Sequence, residues 1–492
     1  MVYKFETRGG YFVITNTVNN SEILRKSLTD IYPIIRGDTI FFYDITSDQL
    51  LPDSSGYEFS EVIDVNGKFF TSKSELLGWV ENNIGYRKAN EGTRVIFEDS
   101  ANFDAFSRLR TSQSKGLFDS QFTYDLQPLL FEQIASGGTI AHDTVNRNSL
   151  MTFTDAVAGS EVKMQTYEHF RYTSGKSQLI MITFNFNEAV ANTLKFAGYT
   201  NGTEGVEFRL NGLIPEMAIL SSTDVGNQII AQSNWNLDKL DGTGLSRITL
   251  DISKAQILVI DFQALYVGRV RAGFDIDGKI FYVHEFRNAN NTITNYLKTA
   301  NLPLRCGMNC SDTVSTTINF ICSTVIQEDG FGNSEGYDFT ASGAVTAGNG
   351  TATHILSVQP KPTFNSIENR AKFILENFNI LVTGNSPIKW QLCLGTTLSG
   401  TTAFDDVNTT YSTFATNTLG TLSGTPDIVV ASGFISATAQ AKGDVNATVP
   451  FKYPITLDAS GAVREMGRLT LLVTGLGGTS ACQASINWKE IR

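Results

Sequence analysis

From about residue 94 to the C-terminus, apolar and polar positions alternate in short runs broken by turn residues. That is the two-residue period of strands with one buried face. The best-marked hairpin is GRVRAGFDIDGKIFYVHEF, residues 268–286, where Asp277-Gly278 is the preferred pair for a two-residue type I′ turn. Counting back from that turn predicts Ile276 opposite Lys279, Phe274 opposite Phe281 and Ala272 opposite Val283 on one apolar face. Arg269, Arg271 and Asp275 then stand opposite Phe286, His284 and Ile280 on the other face. Alternation resumes in FNILVTG, DIVVASGFISATAQ, RLTLLVTGLGG and ACQASINWKEIR, with turn clusters every ten residues or so. The expected fold class is therefore mainly β, with β-sandwich or jelly-roll domains.

The first 93 residues read differently, as a small mixed α/β domain. GYFVITNTV and TIFFYDI are strand-like, whereas SKSELLGWVENNIG has helical spacing. Ser72 and Glu75 form a capping box there, Leu76, Leu77, Trp79, Val80 and Ile84 an apolar stripe, and Gly85 a stop. GYRKANEGTR reads as a linker. Residues 94–330 are expected to form a central sandwich, the Gly/Ser/Asn/Thr-rich 331–350 a linker, and 351–492 a C-terminal sandwich.

Composition narrows the function. The 492 residues carry a net charge of −11, with 38 basic residues scattered among 49 acidic ones. Nucleic-acid binding needs clustered cations, so this balance argues against it. The five cysteines, Cys306, Cys310, Cys322, Cys393 and Cys482, lack the second pair of a zinc site and are expected as free, buried thiols. The N-terminus lacks a signal-peptide pattern. No run approaches the roughly 20 apolar residues of a membrane span, and membrane insertion is not expected.

Catalytic constellations are equally thin. His142, His169, His284 and His354 stand far apart, with no H-E-x-x-H. Asp275 and Asp277 could be a glycosidase pair, but Asp277 is explained by its turn and Asp275 faces Arg271 on the same side of its strand. The DGTG at 241–244 has no helix behind it to bind an anion and reads as a turn. Trp79, Trp235, Trp390 and Trp488 are expected as buried anchors rather than sugar platforms. No enzyme, cofactor or metal site is expected.

The segment FDAFSRLRTSQSKGLFDSQFTYD, beginning at Phe103, resembles virion structural proteins of tailed double-stranded DNA bacteriophages. Three other blocks resemble the same group: 234–290, NLPLRCGM at 301–308, and the C-terminal SACQASINWKEIR. The resemblance covers roughly 95–320 and the C-terminal region. It departs at Ala264-Leu265-Tyr266, where related proteins often place an aromatic directly after IDFQ. A crAss-like or other short-tailed phage suits the Asn/Thr-rich, low-charge style.

The resemblance implies a non-enzymatic surface component of the particle, made in the host cytoplasm and forming a homotrimer. A head fibre or capsid decoration protein contacting the major capsid protein or other head or tail proteins is the leading expectation. A receptor-binding tail fibre or spike recognising a host surface glycan is the alternative, and a capsule-degrading depolymerase stands third. Within the opening segment, Arg108 and Arg110 would share one face of an extended strand, opposite Ser107 and Leu109. Phe103 and Phe106 would anchor it, and Asp119 is a candidate acceptor. These five residues are the expected assembly contacts.

Overall fold

In the computed structural model the described residues are the strands of 3–70, by backbone alone, and 114–492 apart from 264, 329–335, 439–442 and 450–451. The chain divides into two compact units, Met1–Arg110 and Thr111–Arg492, later than the expected boundary at 93/94. In the N-terminal unit, Tyr3–Arg8, Tyr11–Asn16 and Glu22–Ser27 form a three-stranded antiparallel sheet. Ile31–Arg36, Thr39–Asp44 and Gln49–Leu51 pair in sequence, and Tyr57–Glu58 adds to Thr39–Asp44. GYFVITNTV and TIFFYDI thus do contain strands. The helix expected over 72–85 and the linker after it lie outside the described residues.

The second unit holds two β-sandwiches. In the first, an eight-stranded sheet runs Thr139–Asp143, Asn148–Ala156, Val314–Glu328, Ser177–Asn185, Gln256–Gln263, Val270–Ile276 and Lys279–Phe286, with Ser114–Gln121 also paired to Val314–Glu328. Facing it is a seven-stranded sheet in the order Phe131–Ser136, Glu161–Thr166, Leu304–Cys310, Thr193–Thr200, Gly205–Asn211, Ile214–Leu220 and Gln228–Ala231. Val314–Glu328 is long because one of its edges serves two partners. Its N-terminal half meets Asn148–Ala156 and its C-terminal half meets Ser114–Gln121. The core between the sheets is built from phenylalanines: Phe122, Phe131 and Phe320 contact edge to face or tilted at 5.1–5.7 Å. At another point Phe186 stacks on Phe208, and Phe208 meets Phe274 edge-on.

In the second sandwich the four-stranded sheet runs Tyr337–Ala347, Ser480–Ile491, Lys372–Val382 and Asp444–Ala447. The six-stranded one runs Asp405–Asp406, Phe414–Asn417, Thr353–Pro360, Leu469–Gly475, Ile388–Leu394 and Ile428–Ile435. Residues 331–350 were expected as a linker, but Tyr337–Ala347 is a strand paired along its whole length with the C-terminal strand. Its small Ala, Ser and Gly side chains, which read as a boundary, suit close packing: a Cβ on Gly343 would lie 2.3 Å from the Ile355 carbonyl oxygen.

The 268–286 hairpin follows the expected register as far as Gly273 opposite Tyr282, and then slips by one. The bulge beyond that pair leaves Val283 unpaired and puts Ala272 opposite His284 and Arg271 opposite Glu285. Gly273 permits it, because a Cβ there would stand 2.1 Å from the Phe281 carbonyl oxygen. The expected pairs Ala272–Val283, Arg271–His284 and Arg269–Phe286 are corrected accordingly, and Arg271 gains an acidic neighbour.

Candidate functional site

Where the two sandwiches meet, their edges enclose a groove of about 690 Å³. Leu117, Phe118 and Leu130 supply apolar wall from the first sandwich, and Phe373, Ile374 and Ile455 from the second. Phe118 is fixed by ring contacts with Phe131 and Phe170 at 5.9 and 4.9 Å. Asp119, the next residue on Ser114–Gln121, is exposed, lines this groove and pairs in register with Thr324. Asp119 is thus the one expected assembly contact that the described residues include. Phe103, Phe106, Arg108 and Arg110 lie outside them.

The groove is closed at its base by polar contacts between the sandwiches. Glu132 accepts a hydrogen bond from the Ala459 amide at 2.7 Å. Burial pushes its carboxyl up, and the Ala459 amide offsets this in part. The Arg464 guanidinium lies 3.5 Å over the Tyr167 ring while donating to Thr456 and Pro454 carbonyls. Thr456 in turn donates to the Tyr167 carbonyl at 3.1 Å. Arg370, ion-paired with Glu368, donates to the Asp458 carbonyl at 2.8 Å, and its own carbonyl accepts from Asn301. His169 is buried beside it, and burial first, then Arg370, push its imidazole down to about 3. Lys372 and Glu168 form an ion pair across the rim. A junction cross-linked at this many points resists hinge motion. The contacts between the sandwiches are not visible in the sequence, because their partners lie more than 60 residues apart.

A second polar cluster occupies the outward side of the seven-stranded sheet. Glu207 and Arg209 alternate on Gly205–Asn211. Register brings Glu216 beside Arg209 and sets Arg305 and Glu207 on either side of Gly198. Arg209 binds Glu216 at 2.7 Å and stands 3.9 Å from Glu207. Arg305 lies 4.9 Å from the Phe196 ring centroid and bonds Glu161 at 3.2 Å. Burial pushes the Glu207 carboxyl up to about 7 against the pull of Arg209 and Arg305. Two carboxylates with different environments resemble an acid–base pair, but Arg209 is ion-paired to both, so the arrangement is a charge network. The hairpin signal that marks it is the two-residue turn Gly212-Leu213, with glycine first, between two strands paired up to Asn211 and Ile214.

The remaining sequence candidates have structural partners. His142 donates to the Phe122 carbonyl, and His284 accepts from the Asn236 amide. His354 donates to the Gly420 carbonyl and accepts from Ser357. All five cysteines are free thiols, four of them buried. Arg271 is ion-paired with Asp261 on the neighbouring strand rather than with Asp275. Asp241 folds its own turn by accepting from the Thr243 amide at 2.8 Å. Trp235, Trp390 and Trp488 are buried, and Trp79 lies outside the described residues.

No known protein family matches the chain, and no curated protein is similar to it in sequence. Among solved structures it is similar to a glycosyl hydrolase family protein from Mycobacterium fortuitum, with 9% identity, a TM-score of 0.29, and coverage of 43% of this chain and 99% of that one. A winged bean acidic lectin complexed with methyl-α-D-galactose gives 10%, 0.29, 44% and 99%. A pseudo β-1,3-glucanase of Mycobacterium tuberculosis gives 9%, 0.29, 43% and 98%. These likenesses are too slight to assign an activity.

Proposed function

We infer that this protein is a non-enzymatic structural component on the surface of a tailed bacteriophage particle, a head fibre or capsid decoration protein. The observation that carries this reading is the junction between the sandwiches. Glu132, Tyr167, Arg370 and Arg464 weld two β-sandwiches into one stiff arm, where a flexible linker would let them swing. Stiffness suits a part that must hold its shape outside a cell. The sequence blocks that resemble virion proteins supply structural strands, among them Ser114–Gln121, Gln256–Gln263, Leu304–Cys310 and Ser480–Ile491. A homotrimer contacting the major capsid protein belongs to the same reading.

Cryo-electron microscopy of intact particles tests it, with maps fine enough to trace side chains. Two-sandwich density on the capsid is expected, and particles lacking this chain would overturn the reading. A second reading, a tail protein that recognises a host glycan, is favoured by the Ser, Asn and Gln side chains on the outward side of the four-stranded sheet in the second sandwich. Density at the tail would select it.

A further inference from the structure

The outward side of that four-stranded sheet is a shallow concavity of about 580 Å³. Register aligns two rows of side chains across all four strands. One is Ser342, Ser485, Asn379 and Asn446, and the other is Ala344, Gln483, Leu381 and Asp444. Four strands spaced by about 4.8 Å make each row roughly 14 Å long, and successive rows stand roughly 7 Å apart. In a third row Asn487 is already used, donating to Asn377 at 2.6 Å. The amides and hydroxyls of Ser342, Asn379, Gln483 and Ser485 line the concavity and, among the described residues, bond no other side chain.

Seven of the eight residues in the two rows are uncharged, and the eighth, Asp444, stands at a corner. Charges return beyond the third row, where Lys489 meets Asp338 at 3.6 Å and Glu376 at 3.2 Å. A surface serving only for solubility carries many charges of both signs. This one offers neutral groups that donate and accept at once, the match for sugar hydroxyls. Among the described residues the two rows hold no cation for a phosphate or an acidic polymer, and Asp444 would repel both. A protein partner or a second copy would need buried aromatic or aliphatic anchors, and Leu381 is the single large apolar side chain in the two rows.

We propose that the outward sheet of the second sandwich binds a neutral oligosaccharide, with Asn379, Gln483 and Ser485 as its central hydrogen-bonding residues. The proposal deepens the tail-protein reading by naming its site and ligand class.

The test uses the full chain on an array of neutral hexose and N-acetylhexosamine oligosaccharides printed beside uronic- and sialic-acid-containing ones. Hits are titrated by calorimetry. Binding confined to neutral glycans is expected, and the Asn379→Ala/Gln483→Ala variant should weaken it by about tenfold or more. Its melting temperature should stay within about 2 °C of the parent, since both side chains face outward. Absence of binding to any neutral glycan, binding to acidic ones alone, or full affinity in the double variant would each overturn the proposal. So would an oligomer that the double variant dissociates, because a second copy would then occupy the sheet. Tail density without neutral-glycan binding removes this site and leaves the tail reading standing. Capsid density with such binding does the reverse.

Discussion

The two sandwiches solve the same problem with different materials. The first fills its core with phenylalanine rings and admits charge at its margins: Lys195, fully buried, donates to the Phe186 and Glu188 carbonyls and to Thr316. Burial pulls the Lys195 ammonium down to about 8. Glu207 and Arg305 add further buried charge. The second sandwich is built on smaller side chains around Trp488, and its fully buried carboxylate, Glu490, has every donor it needs. One Glu490 oxygen accepts from Ser412 at 2.6 Å and from the Trp488 indole at 3.1 Å, and the other from the Thr413 amide and hydroxyl at 2.7 Å each. What matters for stability is whether a buried charge is fully satisfied, not whether one is present.

Glu490→Gln should therefore be the most damaging of the conservative changes. Whichever way the amide is turned, its NH2 faces one N–H donor, the Trp488 indole or the Thr413 amide. At least one hydrogen bond to a carboxylate is then lost and a repulsive contact is gained, while the hydroxyl beside it can turn to accept. A loss of about 3 kcal/mol is expected, read as early melting of the second sandwich in calorimetry or hydrogen exchange. A loss below about 1 kcal/mol would show that these donors turn to water, and the contrast between the sandwiches would fail.

Glu207→Gln should act in the opposite sense. The carboxyl rises from 4.5 unfolded to about 7 folded, so the folded state binds the proton more tightly. Its contribution is complete below about pH 4.5 and lost as pH rises through about 7. The variant should match the parent near pH 4 and be more stable at pH 8, by on the order of 3 kcal/mol. His169 titrates the other way, its stabilisation fading as pH falls from 6.5 towards about 3, and remains in both proteins as an internal control. Equal pH profiles for parent and variant would show that Arg209 and Arg305 hold Glu207 ionised throughout.

At the junction, where the sandwiches touch, Glu132→Ala should cost about 1–2 kcal/mol by stranding the Ala459 amide. Its sharper readout is coupling. In the parent the sandwiches should unfold together, and in the variant the calorimetric peak should begin to split. A split peak in the parent would mean that the two do not support each other.

The sequence made the strands and the class legible, because alternation survives wherever one sheet face is buried, as in Gln256–Gln263 and Leu469–Gly475. It misread Tyr337–Ala347 because alternation there is written in Ala, Gly, Ser and Thr, whose hydrophobic contrast is slight. It placed the 268–286 register correctly only up to Gly273, since a bulge depends on the fit of a backbone against its neighbour and leaves no period. The junction and the Glu207 network were out of reach because their partners are brought together by topology alone. Asp119 was singled out for a contact with arginines, and the described residues place it at the junction groove.

The smallest effect is also the one that isolates what the sandwiches share. Gly278 turns the 268–286 hairpin and Gly477 joins Leu469–Gly475 to Ser480–Ile491, with φ of 78° and 79° and no atom within 4 Å of an added Cβ at either. An alanine at either site meets no clash, so its cost is the backbone penalty for a left-handed conformation, about 1 kcal/mol. The first core is the richer in phenylalanine and the second is built around Trp488, yet neither glycine touches a core. Gly278→Ala and Gly477→Ala should therefore lower stability equally, within about 0.5 kcal/mol, in denaturant titrations that follow each sandwich separately. Equality would confine the difference between the sandwiches to their interiors. A clear inequality would mean that turn and core are coupled, and that the material of the core reaches to the tips of the hairpins.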